Sequence, residues 1–335
     1  MALLEVNDLS VAFPTEDGVV EAVRHVSFSV DRGQVLGIVG ESGSGKSVTV
    51  MAVMGLLPRS ARITGTAKYD GVDLLSLPMK ERIAYRGGKM GMIFQDPMTS
   101  LNPVYSVGWQ LAEAVRAHKD INKKAARQRA IDLLSLVGIP QAAKRVDSYP
   151  HEFSGGMRQR VMIAMAMAND PEVLIADEPT TALDVTVQAQ ILETLEEIQD
   201  RTGIAIILIT HDLGVVAGMS DRMMVMYAGT VAEEGSVDEI FYKPRMPYTA
   251  GLLGAIPREG SDGQRLNQIH GSTPSLINLK PGCAFSSRCP MVQPQCLAAT
   301  PSLVATDDAT HYSACIRWQD LVDVDIRDMF MESAS

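Results

Sequence analysis

Cysteine is missing from most of this chain: none precedes Cys283, and all four, Cys283, Cys289, Cys296 and Cys315, sit near the C-terminal end. The body of the chain therefore folds without any disulfide. Excess positive charge is missing too. Against 40 acidic residues stand 30 Lys and Arg, a net charge of -10, so no whole-molecule positive field draws in a phosphate backbone and a general nucleic-acid binder is disfavoured. Long apolar runs are also lacking. The longest, residues 204–209 and 161–168, are less than half of the roughly 20 residues that a spanning helix needs. The opening MALLEVNDLS has no basic stretch followed by an apolar one. The expectation is a cytoplasmic protein, neither secreted nor membrane-spanning. At 335 residues the chain has room for two domains, or one large domain with an appendage, at roughly 100 to 200 residues each.

What is present begins with GESGSGKS, residues 40–47, between the apolar run 35–39 and the apolar stretch 48–57. Gly40, Gly45, Lys46 and Ser47 fit G-x-x-x-x-G-K-[ST], with 35–39 reading as a buried strand and 46–57 as a helix ended by Pro58. Glycines let the backbone curl so that successive N–H groups, from Ser42, Gly43, Ser44 and Gly45 on to Val48, face an anion. The following helix directs its positive end at the same point. Phosphate is the natural occupant. Lys46 is expected to reach the β- and γ-phosphates and the Ser47 hydroxyl to ligate Mg²⁺. A plain Gly/Ser turn would not need the strand before it and the helix after it.

Three more apolar runs stop at polar residues, as functional groups do at the carboxyl ends of a parallel sheet. Residues 90–94 end in Gln95, 173–176 in Asp177 and Glu178, and 204–209 in Thr210 and His211. Asp177 is expected to complete the Mg²⁺ shell through water, and Glu178 to polarise the water that attacks the γ-phosphate. His211 is expected to align that water, with Gln95 contacting metal and nucleophile. Singly, each has a bland alternative as a cap or loop residue. A second small polar loop, FSGGMRQR from Phe153, opens another apolar helix, and Ser154, Gly155 and Gly156 form a second phosphate cradle. The bland alternative is a helix N-cap at Ser154. A nucleotide has one γ-phosphate, so two cradles suggest two nucleotides, one shared across a dimer.

GESGSGKS, Gln95, FSGGM, LIADEPTTALD and His211, in that order, resemble the ATP-binding subunit of an ABC transporter over about residues 3–255. The resemblance implies an α/β P-loop NTPase with a β subdomain and a helical subdomain, and a head-to-tail dimer clamping ATP between one P-loop and the other signature loop. It places Asp184 in the loop crossing that interface and Phe13 against adenine. The signature usually reads LSGGQ, and Phe153 and Met157 stand at its ends here; Met157 cannot donate the glutamine's hydrogen bond. FQDPMTSLNPVYSVG, from Phe94, and KPRMPYTAGLLGAIP, from Lys243, resemble the ATP-binding subunits of dipeptide and oligopeptide importers.

That resemblance implies a second, related ATPase subunit, two transmembrane permease subunits and an extracytoplasmic peptide-binding protein, with this chain peripheral on the cytoplasmic face. It divides the chain into a nucleotide-binding domain, 1–256, with a helical subdomain at about 97–160, and an extension, 257–335. Trp109 and residues 111–115 are candidates for the permease contact or for local core. Val187, Ile191, Leu195 and Ile198 recur at helical spacing as scaffold, and the methionine-rich 161–168 reads as core.

From about Pro257 the chain turns to Pro, Gly, Ser and Asn, and a segment with so little core usually needs a staple. Metal suits a cytoplasmic protein better than disulfides. The spacing C-x5-C-x6-C-x18-C lacks C-x-x-C pairs and leaves zinc, an iron–sulfur cluster and free thiols all open. PGCAFSSRCPM, Cys296 and HYSAC resemble the importer extension, which implies a [4Fe-4S] cluster on Cys283, Cys289, Cys296 and Cys315. Two rival readings remain. A soluble ABC-type ATPase of repair or translation would need a longer insertion between Gly45 and Ser154 or a second P-loop, and an Fe–S redox protein would need a further cofactor motif.

Overall fold

The computed structural model describes residues 2–95, 100–181, 183–256, 268–307, 309–322, 324 and 329–330. The chain forms two compact units, each assembled from separated stretches: Met1–Leu4, Ser29–Val35 and Lys68–Ile209 in the first, Glu5–Phe28, Leu36–Ala67 and Thr210–Ser335 in the second.

In the first unit, Met90–Ile93, Val173–Asp177 and Ala205–Ile209 are neighbouring parallel strands, with Met90 opposite Val173 and Val173 opposite Ala205. Val173–Asp177 and Ala205–Ile209 are buried along their whole length, the unalternating apolar pattern of strands covered on both faces. Four helices of this unit each begin on a residue whose side chain accepts the backbone N–H three positions on. Ser106 caps Val107–Arg116, Asn122 caps Lys123–Leu136, Ser154 caps Gly155–Ala166 and Asp184 caps Val185–Thr202. Each such cap is worth about 1 kcal/mol. Of the stripe expected of Val185–Thr202, Ile191, Leu195 and Ile198 are buried and Val187 is only half-buried; the methionine-rich segment is core, with Val161, Ile163 and Ala164 fully buried. Lys89, at 2.8 Å, and Arg32 both bond the Glu172 carboxylate at the start of its strand and hold its pKa down to about 2.

In the second unit, Val35–Val39 lies parallel to Arg222–Tyr227, Leu36 opposite Arg222 and Val39 opposite Val225. Thr230–Ser236 turns back antiparallel, with a bulge between Val231 and Glu233. Gly18–Val30, Leu4–Thr15 and Arg62–Tyr69 lie in that order in a separate sheet, with Phe13 half-buried on the middle strand. The expected helix 46–57 runs only Lys46–Met54, because Gly55 takes a φ of 65° and its N–H turns back to Ala52 O and Met51 O.

The extension packs against the second unit's sheet. Its strand Tyr312–Ser313 pairs with Glu234 and Glu233, and Val304–Ala305 pairs outside it. His311 Nε2 lies 2.8 Å from Glu233 Oε1, both side chains being buried. Phe285, 1% exposed, meets Tyr248 and Tyr227 at ring-centroid distances of 5.4 and 5.3 Å. The segment thus borrows the core of the sheet it abuts; burying a Phe contributes about 1.5–3 kcal/mol. No helix among the described residues is long and apolar enough to cross a membrane.

Candidate nucleotide-binding and hydrolysis site

In the second unit, the loop 40–47 leaves the buried strand Val35–Val39 and enters the helix Lys46–Met54. Gly45 is the helix N-cap at φ 103°, and a Cβ there would come within 2.6 Å of Ala22 O. Any side chain at 45 would both strain the backbone and collide with an immovable carbonyl. Gly43, also at positive φ, would meet nothing within 4 Å and faces open space with exposed Ser42. Ser44 O accepts from Gly229 N at 3.0 Å, which pins the loop to the turn after Arg222–Tyr227. Lys46, 6% exposed, folds its ammonium onto the loop, donating to Gly40 O at 2.8 Å and Glu41 O at 3.0 Å. Ser47 and Val48 are half-buried in the first helical turn. The N-terminal end of this helix, its curled amides and a buried cation are what a polyphosphate requires.

Residue 41 of this loop is held from outside. Its N–H donates to Tyr248 Oη at 2.9 Å, and its carboxylate accepts two bonds from Arg288, 2.7 Å from Nη1 and 2.9 Å from Nη2. The hydrogen bonds to Glu41 hold the Arg288 guanidinium well above its usual pKa. His211, exposed, follows Thr210, whose N–H bonds Ile38 O at 3.2 Å, and precedes Asp212, the N-cap of Leu213–Met219.

In the first unit, Gln95 and Glu178 meet as their strand-end placement implies: Gln95 Nε2 donates to Glu178 Oε2 at 3.0 Å. Thr181 Oγ1 donates to the same oxygen at 2.8 Å. Glu178 sits at φ 47°, an uncommon region for a side-chain-bearing residue that costs about 1–3 kcal/mol. Its N–H bonds Ile209 O at 2.8 Å, so the neighbouring strand holds it there. A carboxylate fixed by two donors on one oxygen is oriented to take a proton from a water. Asp177, beside it, is 6% exposed. Ser154 accepts from Met157 N at 3.3 Å and Asp184 from Val187 N at 3.0 Å. Both therefore serve as helix caps, while Ser154, Gly155 and Asp184 stay exposed. Phe153 is buried and Met157 half-buried.

The four cysteines are free thiols that line one cavity, with about 480 Å³ of space between its atoms, part of it open to solvent. Burial pushes the thiol of Cys283 up, Cys289 to about 11 and Cys315 to about 12. Among the described residues no group of three or more His, Cys, Asp or Glu is arranged to hold a metal ion. The expected [4Fe-4S] cluster thus gains no ready-made ligand set, nor does zinc, whose ligands must all lie within about 2.0–2.3 Å of one point. The same finding bears little on Mg²⁺, which takes only one or two protein ligands beside the phosphates.

The contacts that Thr181, Tyr248 and Arg288 make with Glu178 and Glu41 were not read from the sequence. Thr181 follows Glu178 by one short turn, so its spacing offered a usable signal. The pair Glu41 and Arg288 lies 247 positions apart and carried none.

The family model described as ABC transporter matches residues 23–181, and that described as oligopeptide/dipeptide transporter, C-terminal region, matches 232–296. The chain is 54% identical over 94% of its length to the oligopeptide transport ATP-binding protein OppD of Mycobacterium tuberculosis, of which it spans about half (52%). It is 53% identical to the dipeptide transport ATP-binding protein DppD of Bacillus subtilis, covering 92% of each chain. Among solved structures, a dimeric ATP-binding cassette in a post-hydrolysis state with ADP and phosphate superposes with a TM-score of 0.63 at 25% identity, over 70% of this chain and 98% of that one. A subunit of a transporter complex from Clostridium perfringens gives 0.62 at 30% identity, over 72% of this chain and 91% of that one.

Proposed function

Because the chain belongs to the family of oligopeptide and dipeptide transport ATP-binding proteins, we propose that it is the ATP-hydrolysing subunit of an ABC importer for di- or oligopeptides. Its α/β fold is the P-loop fold of ABC ATPases. The observation that carries the reading is a built phosphate loop, with Lys46 folded onto Gly40 O and Glu41 O, in one chain with a peptide-transporter C-terminal region.

Lys46 and the amides of residues 42–48 hold the phosphates, and Phe13 stacks on adenine. Ser47 and Gln95, with Asp177 through water, would hold Mg²⁺, which would supply positive charge against the phosphates. Glu178 takes the proton of the attacking water and His211 aligns it. Ser154, Gly155, Gly156 and Asp184 serve the nucleotide of a second, related ATPase subunit. Two permease subunits and an extracytoplasmic peptide-binding protein complete the machine at the cytoplasmic face. The functional division falls at 256 and 257, with the helical subdomain at about 97–160; residues 97 and 257 themselves lie outside the described residues.

The permease contact centres on Trp109. Leu111 and Val115 are fully buried core, whereas Trp109 is 49% exposed and stacks on Tyr105 at 4.1 Å, beside Val104 at 69%. An exposed aromatic pair at the start of a helix, Tyr105 just before it and Trp109 in its first turn, is what partner helices bury. Protein purified from membranes is expected to bring permease subunits and show peptide-stimulated ATPase activity. Trp109→Ala should reduce that co-purification at least tenfold and leave ATP affinity within twofold. Recovery with ribosomes or nucleic acid alone would overturn the importer reading.

For the cysteines the reading is a [4Fe-4S] cluster, zinc being the alternative. Support comes from four thiols sharing one cavity and from the resemblance of the extension. The cluster would supply a covalent staple for the extension. Anaerobically purified protein should carry about four irons and visible absorbance, both lost when all four cysteines become serine. A colourless protein with stoichiometric zinc would replace the cluster by zinc.

A further inference from the structure

The phosphate loop is braced by a residue of the cysteine-bearing extension, and nothing in nucleotide chemistry requires that. We propose that Arg288 is a positioning residue for the loop: it neutralises Glu41 beside the triphosphate site and ties ATP binding to the folded extension. The proposal rests on the ATP-site reading above and adds a residue and a coupling to it.

Glu41 places a carboxylate inside a loop built to attract phosphate. Alone, that charge would oppose the ligand. Arg288 cancels it through a bidentate pair at 2.7 and 2.9 Å, the guanidinium side chain being 5% exposed and the carboxylate 26%. At such burial the pair is little screened by salt. Arg288 is itself immobilised. Its Nε donates to His270 O at 3.1 Å, Nη2 to Ile269 O at 3.2 Å and Nη1 to Tyr227 Oη at 3.4 Å, with the Tyr227 and Phe285 rings each 5.9 Å away.

The brace continues in both directions. Arg288 stands in the turn Cys283–Cys289, where its N–H bonds Phe285 O at 2.9 Å, Ser286 N bonds Cys283 O at 3.0 Å and Cys283 N bonds Cys296 O at 2.7 Å. On the far side, the carbonyls of Gly40 and Glu41 are the two that hold the Lys46 ammonium. Releasing Glu41 therefore frees the peptide that aims Lys46. Tyr248 Oη, accepting from Glu41 N at 2.9 Å, fixes the same peptide from a second point.

Binding of a fluorescent ATP analogue with Mg²⁺ to the full chain tests this. Arg288→Ala should raise its Kd tenfold or more, with the loss greatest at low salt, and raise KM more than it lowers kcat. Arg288→Lys should fall between. The double variant Arg288→Ala with Glu41→Gln should bind more tightly than Arg288→Ala alone, because the unpaired charge is gone; this comparison holds even where the single variant folds poorly. By reciprocity of linked equilibria, the analogue should slow hydrogen exchange of the backbone amides of residues 283–289 at least threefold in wild type and not in Arg288→Ala. Arg288→Ala binding within twofold of wild type, no recovery in the double variant, or amide exchange at 283–289 indifferent to the analogue in wild type would each overturn the proposal. Wild type that fails to bind the analogue at all would instead overturn the ATP-site reading beneath it.

Discussion

Glu178→Gln is expected to bind ATP with wild-type affinity and to hydrolyse it at least 100-fold more slowly. The substitution keeps the shape and one oxygen acceptor, so Gln95 Nε2 and Thr181 Oγ1, at 3.0 and 2.8 Å, still find a partner. What it removes is the capacity to take a proton from the attacking water, a contribution of about 10²- to 10⁴-fold. The backbone at φ 47° and the bond from Glu178 N to Ile209 O are untouched, so loss of fold does not confound the result. Single-turnover phosphate release, with ATP binding measured beside it, separates the steps. Unimpaired hydrolysis would remove Glu178 from the role of base. Because the ATP of a closed dimer is then trapped, a dimer that persists in ATP and Mg²⁺ is the accompanying expectation.

Lys46→Ala is expected to lose ATP affinity by about 100-fold or more, which is close to 3 kcal/mol at 1.4 kcal/mol per tenfold. Charge-assisted hydrogen bonds contribute about 1.5–3 kcal/mol each, and the ammonium, 6% exposed, works where water screens little. Its present partners, Gly40 O and Glu41 O, are loop carbonyls that the phosphates would compete with, so the lysine is held at the loop before the ligand arrives. Deleting it leaves both carbonyls facing an anion. Equilibrium binding of an ATP analogue checks this; retention of affinity within threefold would show that the amides and the helix end suffice. Unlike Glu178→Gln, this variant should fail before chemistry, so the two together separate binding from turnover.

The phosphate loop was legible because its requirement is local. Gly45 must adopt φ 103° and admit Ala22 O at 2.6 Å from where a Cβ would sit, and only one residue type does both. Strand ends were legible for a related reason: a fully buried apolar run such as 173–176 does not carry a carboxylate until its end, so Asp177 and Glu178 mark the stop. The helix expected over 46–57 ends at Met54, since Gly55, within an apolar run, takes a left-handed turn that composition does not show. The surface role of residues 109–115 was undecidable in the sequence because a strip of a helix faces both ways; only packing assigns Leu111 and Val115 inward and leaves Trp109 half exposed.

The sequence by itself determined the candidate phosphate loop and the polar strand ends, since turns, caps and strand ends are set by residues a few positions apart whose types carry the backbone geometry they need. Tertiary structure alone decided that four cysteines share a cavity, that the extension shares a core with Tyr248 and Tyr227, and that Arg288 grips Glu41 across 247 positions. Those pairings depend on which distant surfaces pack together. Arginine and glutamate are common, and their types say nothing of which partner burial will bring within 3 Å.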